Sequence, residues 1–144
     1  MGNAFCELVE CEIDRTRLID LVRDPSAGAI VHFDGVVRDN TEGRPVHYLE
    51  YECYPEMALL EMNRIAESAL QEFPIVSIAI FHRTGRLNIG ESSVQICVSS
   101  AHRGDAFRAC MHAIDTLKKT VPIWKKEFYN DGQCWIEGPP TTKD

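Results

Sequence analysis

Three clusters of basic residues could bind an anionic small molecule and act on it. Arg38 ends a β-branched, apolar segment, and His102-Arg103 stand where a strand pattern runs into a helix pattern. The third cluster consists of Lys118-Lys119 and Lys125-Lys126. A helix N-terminus presents unpaired N–H groups, and an arginine beside it adds a forked donor for phosphate or carboxylate. The clusters therefore predict an anion pocket flanked by lysines. The alternative is that His102 and Arg103 only cap the helix or pair with a surface acid.

Two of the lysines could contribute chemistry as well as charge. Lys118 lies four residues after Ile114, at the edge of an apolar helical stripe, where a lysine either extends to water or lines a pocket. Strand alternation sends Lys125 and Lys126 to opposite faces, so at most one of them joins the pocket by this route. A lysine held in such a pocket can transfer protons or act as a nucleophile.

Composition narrows the class of protein. The chain has 144 residues, 22 acidic and 15 basic, with a formal charge of −7. This acidic balance disfavours binding to nucleic acid or to an anionic membrane, because phosphate neutralisation needs a basic face. No apolar run approaches the ~18 residues of a membrane span, and no signal pattern is visible, so we expect a cytoplasmic protein. The length predicts one domain over residues 1–144, with 137–144 as a flexible tail.

Neither a metal nor a cofactor is predicted. The six cysteines form no C-x-x-C pair and combine with the five histidines in no ligand spacing. We expect them to be reduced and mostly buried. The chain contains no P-loop, G-x-G-x-x-G, H-E-x-x-H or G-x-S-x-G motif.

The elements that must position these residues follow from periodicity and turn signals. We predict a short helix after Asp14, which can cap it, and further helices over 55–73 and 105–120. We predict strands over 6–13, 29–38, 46–54, 76–80, 94–98, 123–129 and 134–137. The strands 29–38 and 46–54 are expected to form a hairpin. In the third helix, the residues expected to face the core are Phe107, Cys110, Met111, Ile114 and Leu117. The order β-α-β-β-α-β-β-α-β-β favours an α+β fold, with helices packed on a mixed or antiparallel sheet.

At the basic clusters the sequence resembles the large, catalytic subunit of molybdopterin synthase. The matching stretches are GAIVHFDGVVRDN (28–40), LEYECYPEMA (49–58), HRTGRLNIGE (82–91), SSAHRGDAF (99–107), LKKTVPIWKKE (117–127) and W-I-E (135–137). They follow the family's order. The most specific is the SAHR-to-helix segment followed by LK…P-x-WKKE. The resemblance implies a fold of the α/β hammerhead type.

The resemblance also implies an activity. Members of the family insert two sulfurs into cyclic pyranopterin monophosphate and so form the dithiolene of molybdopterin. The sulfur comes from the C-terminal thiocarboxylate of a ubiquitin-like small subunit. Two large subunits form a central homodimer, and a small subunit binds at each outer end to give a heterotetramer. Since the partner brings the sulfur, neither a cysteine nucleophile nor a metal is required of this chain.

Matching positions imply a set of site residues. Lys118 and Lys125 resemble the catalytic pair. The implied substrate-binding residues are Val36, Val37, Arg38, His102, Arg103, Lys118, Lys125, Lys126 and Glu127. Some members carry an arginine shortly after the W-x-E segment, thought to reach into the neighbouring subunit's site, whereas here Gly138-Pro139-Pro140 follows. Two alternatives stay open: a non-catalytic scaffold that binds an anion or pterin, and, less favoured, a thiol enzyme.

Overall fold

The computed structural model describes residues 2–132 and 134–138 and has an α+β fold. The elements are β1 (Asn3–Val9), α1 (Arg15–Val22), β2 (Ala29–Val36), β3 (Asn40–Thr41), β4 (Arg44–Cys53), α2 (Pro55–Glu72), β5 (Ile75–Arg83), β6 (Gly85–Asn88), β7 (Ser92–Ser100), α3 (Arg103–Thr120), β8 (Ile123–Tyr129) and β9 (Cys134–Glu137). The fold class is therefore confirmed. The observed order adds the short strands β3 and β6 to the predicted one. From residue 139 on, the predicted tail lies outside the described residues.

The first sheet carries helices on both faces. Its strand order is β1-β5-β7-β2; β1 is parallel to β5, and the other neighbours are antiparallel. On one face, α2 and α3 pack on the sheet through buried residues such as Met62, Ile96 and Ile114. On the other face, Leu18 and Val22 of α1 pack against this sheet. Because both faces are covered, β7 is buried along its whole length.

The second sheet contains the remaining strands. Strand β4 pairs with β8 and also with β3 and β6, while β9 pairs with β8. The chain passes from the first sheet into the second where β5 continues into β6, across Gly85 at φ +92. It turns back toward β7 at Gly90, at φ +86. These left-handed conformations suit glycine, which has no Cβ to clash. The two sheets therefore meet near residues 84–91.

The predicted hairpin between 29–38 and 46–54 is wrong. Strand β2 pairs with β7 in the first sheet, whereas β4 pairs with β8 in the second. The turn signal at 39–43 was real, but its hairpin joins β4 to the two-residue strand β3. Strand pairing over long sequence distances depends on the core face that each strand must bury, which a local turn does not encode.

Two other predictions differ from the structure. Phe107 and Met111, expected in the core, are 60% and 62% exposed. The buried stripe of α3 consists of Ala106, Ala109, Cys110, Ala113, Ile114 and Leu117. Small side chains let the helix approach its neighbours closely, so the stripe follows the alanines and not the largest apolar residues. The first strand was also predicted too far along the chain, at 6–13, whereas β1 covers Asn3–Val9.

None of the described helices is long and apolar enough to cross a membrane.

Candidate active site

A cleft opens where the second sheet meets the ends of β2 and α3. It has two lobes, of about 140 Å³ and about 130 Å³, which share the side chains of Tyr51, Ser93, Val94, Lys118 and Lys125. We call them the Arg38 lobe, lined also by Arg38 and Val36, and the His82 lobe, lined also by His82 and Glu137. The two catalytic candidates therefore lie on the wall that both lobes share.

The backbone around Val37 places Arg38 in its lobe. The pairing of β2 with β7 shifts register between Gly35 and Val36, so the end of β2 is redirected. Val37 is then fixed by two bonds to the turn before β7: its N–H donates to the carbonyl of Glu91 at 3.0 Å, and its carbonyl accepts from the N–H of Gly90 at 2.8 Å. Val36 and Val37 both line this lobe. Arg38 makes no hydrogen bond or ion pair with any residue that the structure describes, so its guanidinium is available to an anion.

The two cleft lysines differ in their surroundings. Lys118 lies in the last turn of α3, where the helix dipole favours a cation. It has no acidic partner within ion-pair distance among the described residues. Lys125 lies on β8, with Nζ 3.8 Å from Oε2 of Glu127 and 3.5 Å from Oε1 of Glu137. Lys118 is thus the less restrained cation, while Lys125 is oriented by two carboxylates.

Glu127 is a buried carboxylate with both oxygens occupied. Only 5% of the residue is exposed. Its Oε2 accepts a hydrogen bond from the Thr41 hydroxyl at 2.8 Å, and its Oε1 accepts one from the Tyr129 hydroxyl at 2.9 Å. These bonds satisfy a charge that burial would otherwise penalise. Glu127 lines the Arg38 lobe, but its hydrogen-bonding capacity is directed at the protein.

His82 stands at the base of its lobe as a neutral ring. It is 4% exposed, and burial lowers its pKa to about 4, with a smaller contribution from the Lys118 charge. Nδ1 lies 2.8 Å from the carbonyl of Arg83, so it carries the proton and Nε2 is left as an acceptor. The ring meets Tyr51 edge-on, with centroids 5.2 Å apart. Burial also raises the pKa of Tyr51.

The structure does not bring every predicted residue into the cleft. His102 is the N-cap of α3 and Arg103 its first residue. Lys118 lies fifteen positions after Arg103 on the same helix, which corresponds to about 22 Å along the helix axis at the usual rise per residue. Lys126 points to the opposite face of β8 from Lys125, with Nζ 5.0 Å from the centre of the Phe128 ring. Of the predicted set, the residues that line the cleft are Val36, Val37, Arg38, Lys118, Lys125 and Glu127.

Three of the thiols lack the lowered pKa of an activated nucleophile. Burial raises the pKa of Cys6 and Cys97 to about 12 and that of Cys110 to about 11. A nucleophilic cysteine needs the opposite shift, because only the thiolate reacts. Within residues 2–132 and 134–138, no three His, Cys, Asp or Glu side chains are grouped to hold a metal ion.

Comparison with known proteins places the chain in a family. The family model described as MoaE protein matches residues 8–120. The molybdopterin synthase catalytic subunit of Pyrococcus abyssi is 50% identical over 140 residues, which cover 96% of this chain and 95% of that protein. Its counterpart in Thermoplasma volcanium is 44% identical over 132 residues, covering 92% and 96%. The crystal structure of molybdopterin synthase from Staphylococcus aureus superposes with a TM-score of 0.87 at 39% identity, over 92% of this chain and 96% of that one. The chain belongs to the MoaE protein family.

Proposed function

We propose that this MoaE-family chain is the catalytic subunit of a molybdopterin synthase. It transfers sulfur from the thiocarboxylated C-terminus of a ubiquitin-like small subunit to cyclic pyranopterin monophosphate. The observation that carries the proposal is the cleft itself: Lys118 and Lys125 lie on the wall that two lobes share, and Arg38 lines one of these lobes. Neither Arg38 nor Lys118 is paired with a described acid. A reaction between two anionic substrates needs such a site. All six cysteines are free thiols, which suits a reducing compartment such as the cytoplasm.

The two lobes suit two ligands that meet at the lysines. The Arg38 lobe would hold the pterin and its phosphate, with Arg38 as the forked donor and Val36 and Val37 against the ring system. The His82 lobe is left for the partner's C-terminus. Lys118 would then lie beside the thiocarboxylate as its sulfur attacks the pterin, where an ammonium can transfer a proton and stabilise developing negative charge. Lys125, held by Glu127, would orient the substrate.

A homodimer would give His102 and Arg103 a role. One copy cannot place them in its own cleft, because α3 separates them from Lys118 by about 22 Å. If they hold substrate, they do so in the cleft of a second copy. Mixing an Arg103→Ala subunit with a Lys118→Ala subunit should then restore part of the activity that each homodimer lacks, because one cleft of the mixed dimer is complete. Unrestored activity in a verified mixed dimer would contradict a role across the interface.

Turnover with defined substrates tests the function. The purified chain, a thiocarboxylated small subunit and cyclic pyranopterin monophosphate should yield the dithiolene product, measured by mass spectrometry or as a fluorescent oxidised derivative. Arg38→Ala should raise the KM for the pterin by roughly tenfold or more, because it removes a charge-assisted hydrogen bond to phosphate. Arg64→Ala is the matched control, since Arg64 pairs with Glu61 on α2 away from the cleft. Binding of both ligands without product would instead identify a non-catalytic scaffold.

A further inference from the structure

One hydrogen bond ties the chain that follows Arg38 to the strand that carries Lys125. Thr41 belongs to β3, which has only two residues, and its hydroxyl donates to Glu127 of β8 at 2.8 Å. The two residues are 86 positions apart in sequence. Both line the Arg38 lobe. The bond therefore closes one wall of that lobe.

The other bonds that hold this segment to neighbouring strands are backbone bonds: besides those of Val37, the Asp39 carbonyl accepts from the N–H of Val46 at 2.8 Å. Strand β3 pairs only with the start of β4, at Arg44 and Pro45. The turn between them has Glu42 at φ 52, a conformation uncommon for a residue with a side chain. A short strand on such a turn is weakly ordered on its own. Ordering it only when the substrate arrives would cost affinity, because the lost conformational entropy opposes binding.

The acceptor of the bond is fixed on its other side. Tyr129 donates to the second oxygen of Glu127 at 2.9 Å, and the Arg44 guanidinium stacks over the Tyr129 ring at 3.8 Å. The Glu127 carboxylate is thus held in place by Tyr129, and the Thr41 hydroxyl donates its hydrogen bond to this fixed group.

We propose that Thr41 is a positioning residue for the phosphate of the substrate: by donating to Glu127, its hydroxyl holds segment 38–41 against β8, so that the Arg38 guanidinium is oriented before the substrate binds. The inference rests on the proposed function for the identity of the ligand. It assigns to Thr41 no contact with substrate and no part in the transfer of sulfur. Its effect on binding is expressed through Arg38.

Ligand affinity measures this effect without relying on turnover. Calorimetry with cyclic pyranopterin monophosphate should show binding about tenfold weaker for Thr41→Val, which keeps the shape of the side chain and loses the donor. Thr41→Ser should bind within about twofold of the wild type, because it keeps the hydroxyl. In an Arg38→Ala background, Thr41→Val should have little further effect, since the group that it positions is already gone.

Kinetics separate positioning from general damage. In the turnover assay, Thr41→Val should raise the KM for the pterin while kcat changes by less than about twofold. An unchanged affinity in Thr41→Val would overturn the proposal. So would a loss that adds in full to that of Arg38→Ala, or a fall in kcat at constant KM, which would indicate action through Lys125. A wild-type chain that binds the pterin but does not turn over would refute the proposed function alone, because the affinity test does not depend on catalysis.

Discussion

Replacing Lys118 by alanine removes an ammonium group from the wall that both lobes share. The side chain lies in the last turn of α3 and has no acidic partner among the residues described. The substitution therefore tests chemistry with little risk to the fold. Its matched control is Lys119→Ala, which removes the same charge from the same helical turn but not from the cleft.

The expected effects on stability and on rate differ widely in size. An exposed lysine in the last turn of a helix contributes about 0.5 kcal/mol through the helix dipole, so Lys118→Ala and Lys119→Ala should destabilise the fold by that amount at most. Proton transfer by a positioned side chain contributes typically 10²- to 10⁴-fold in rate, about 3–5 kcal/mol of activation free energy. Only the Lys118 variant should lose this larger contribution.

Single-turnover kinetics with saturating thiocarboxylated partner and cyclic pterin separate the two lysines. Lys118→Ala should transfer sulfur at least a hundredfold more slowly than the wild type, and Lys119→Ala should stay within about twofold. Thermal melts should agree to within about 2 °C for all three proteins. The reasoning fails if Lys118→Ala keeps more than about a tenth of the wild-type rate, or if Lys119→Ala loses as much.

Three further predictions concern the protein around the cleft. Because burial lowers the pKa of His82 from 6.5 to about 4, unfolded chains bind more protons than folded ones in that window. The free energy of unfolding should therefore fall by up to about 3 kcal/mol as the pH drops from 6.5 to 4. In His82→Gln, the free energy of unfolding measured by chemical denaturation should depend less steeply on pH over this range. Iodoacetamide at neutral pH should label the exposed Cys11 and Cys134 first and leave turnover intact; inactivation on labelling either one would favour a thiol mechanism. Leu18→Ala should cost about 2–5 kcal/mol in urea unfolding with activity per folded molecule unchanged, because α1 packs on the other face of the first sheet from α3.

Local patterns predicted the elements that carry the site. The helix over 55–73 and the strands over 123–129 and 134–137 were predicted from periodicity and turn signals, and the structure confirms them as Pro55–Glu72, Ile123–Tyr129 and Cys134–Glu137. Strand alternation also predicted that Lys125 and Lys126 lie on opposite faces of β8, and the structure confirms this. These features depend on residues within a few positions of one another, so a single sequence contains the signal.

The contacts across the cleft could not be predicted in this way. Thr41 and Glu127 bond over 86 positions, and His82 meets Tyr51 through strands of different sheets. Nothing in the spacing of a threonine, a buried glutamate or a histidine in a strand indicates which distant group each will meet. The separation of Arg103 from Lys118 was available, since Arg103 was placed just before the predicted helix 105–120 and Lys118 near its end, and the length of a helix follows from its residue count.

The carboxylates of the cleft explain how it keeps a free cation in an acidic protein. On the described surface outside the cleft, basic side chains mostly pair with acids, as Arg17 does with Glu7 and Arg108 with Asp105. The acids that line the cleft are Glu127 and Glu137, and both lie near Lys125. Glu127 is satisfied by two neutral hydroxyls, so it has no need of Arg38 as a partner. A phosphate that bound Arg38 would therefore have no ion pair to break first, because no described carboxylate is paired with the guanidinium.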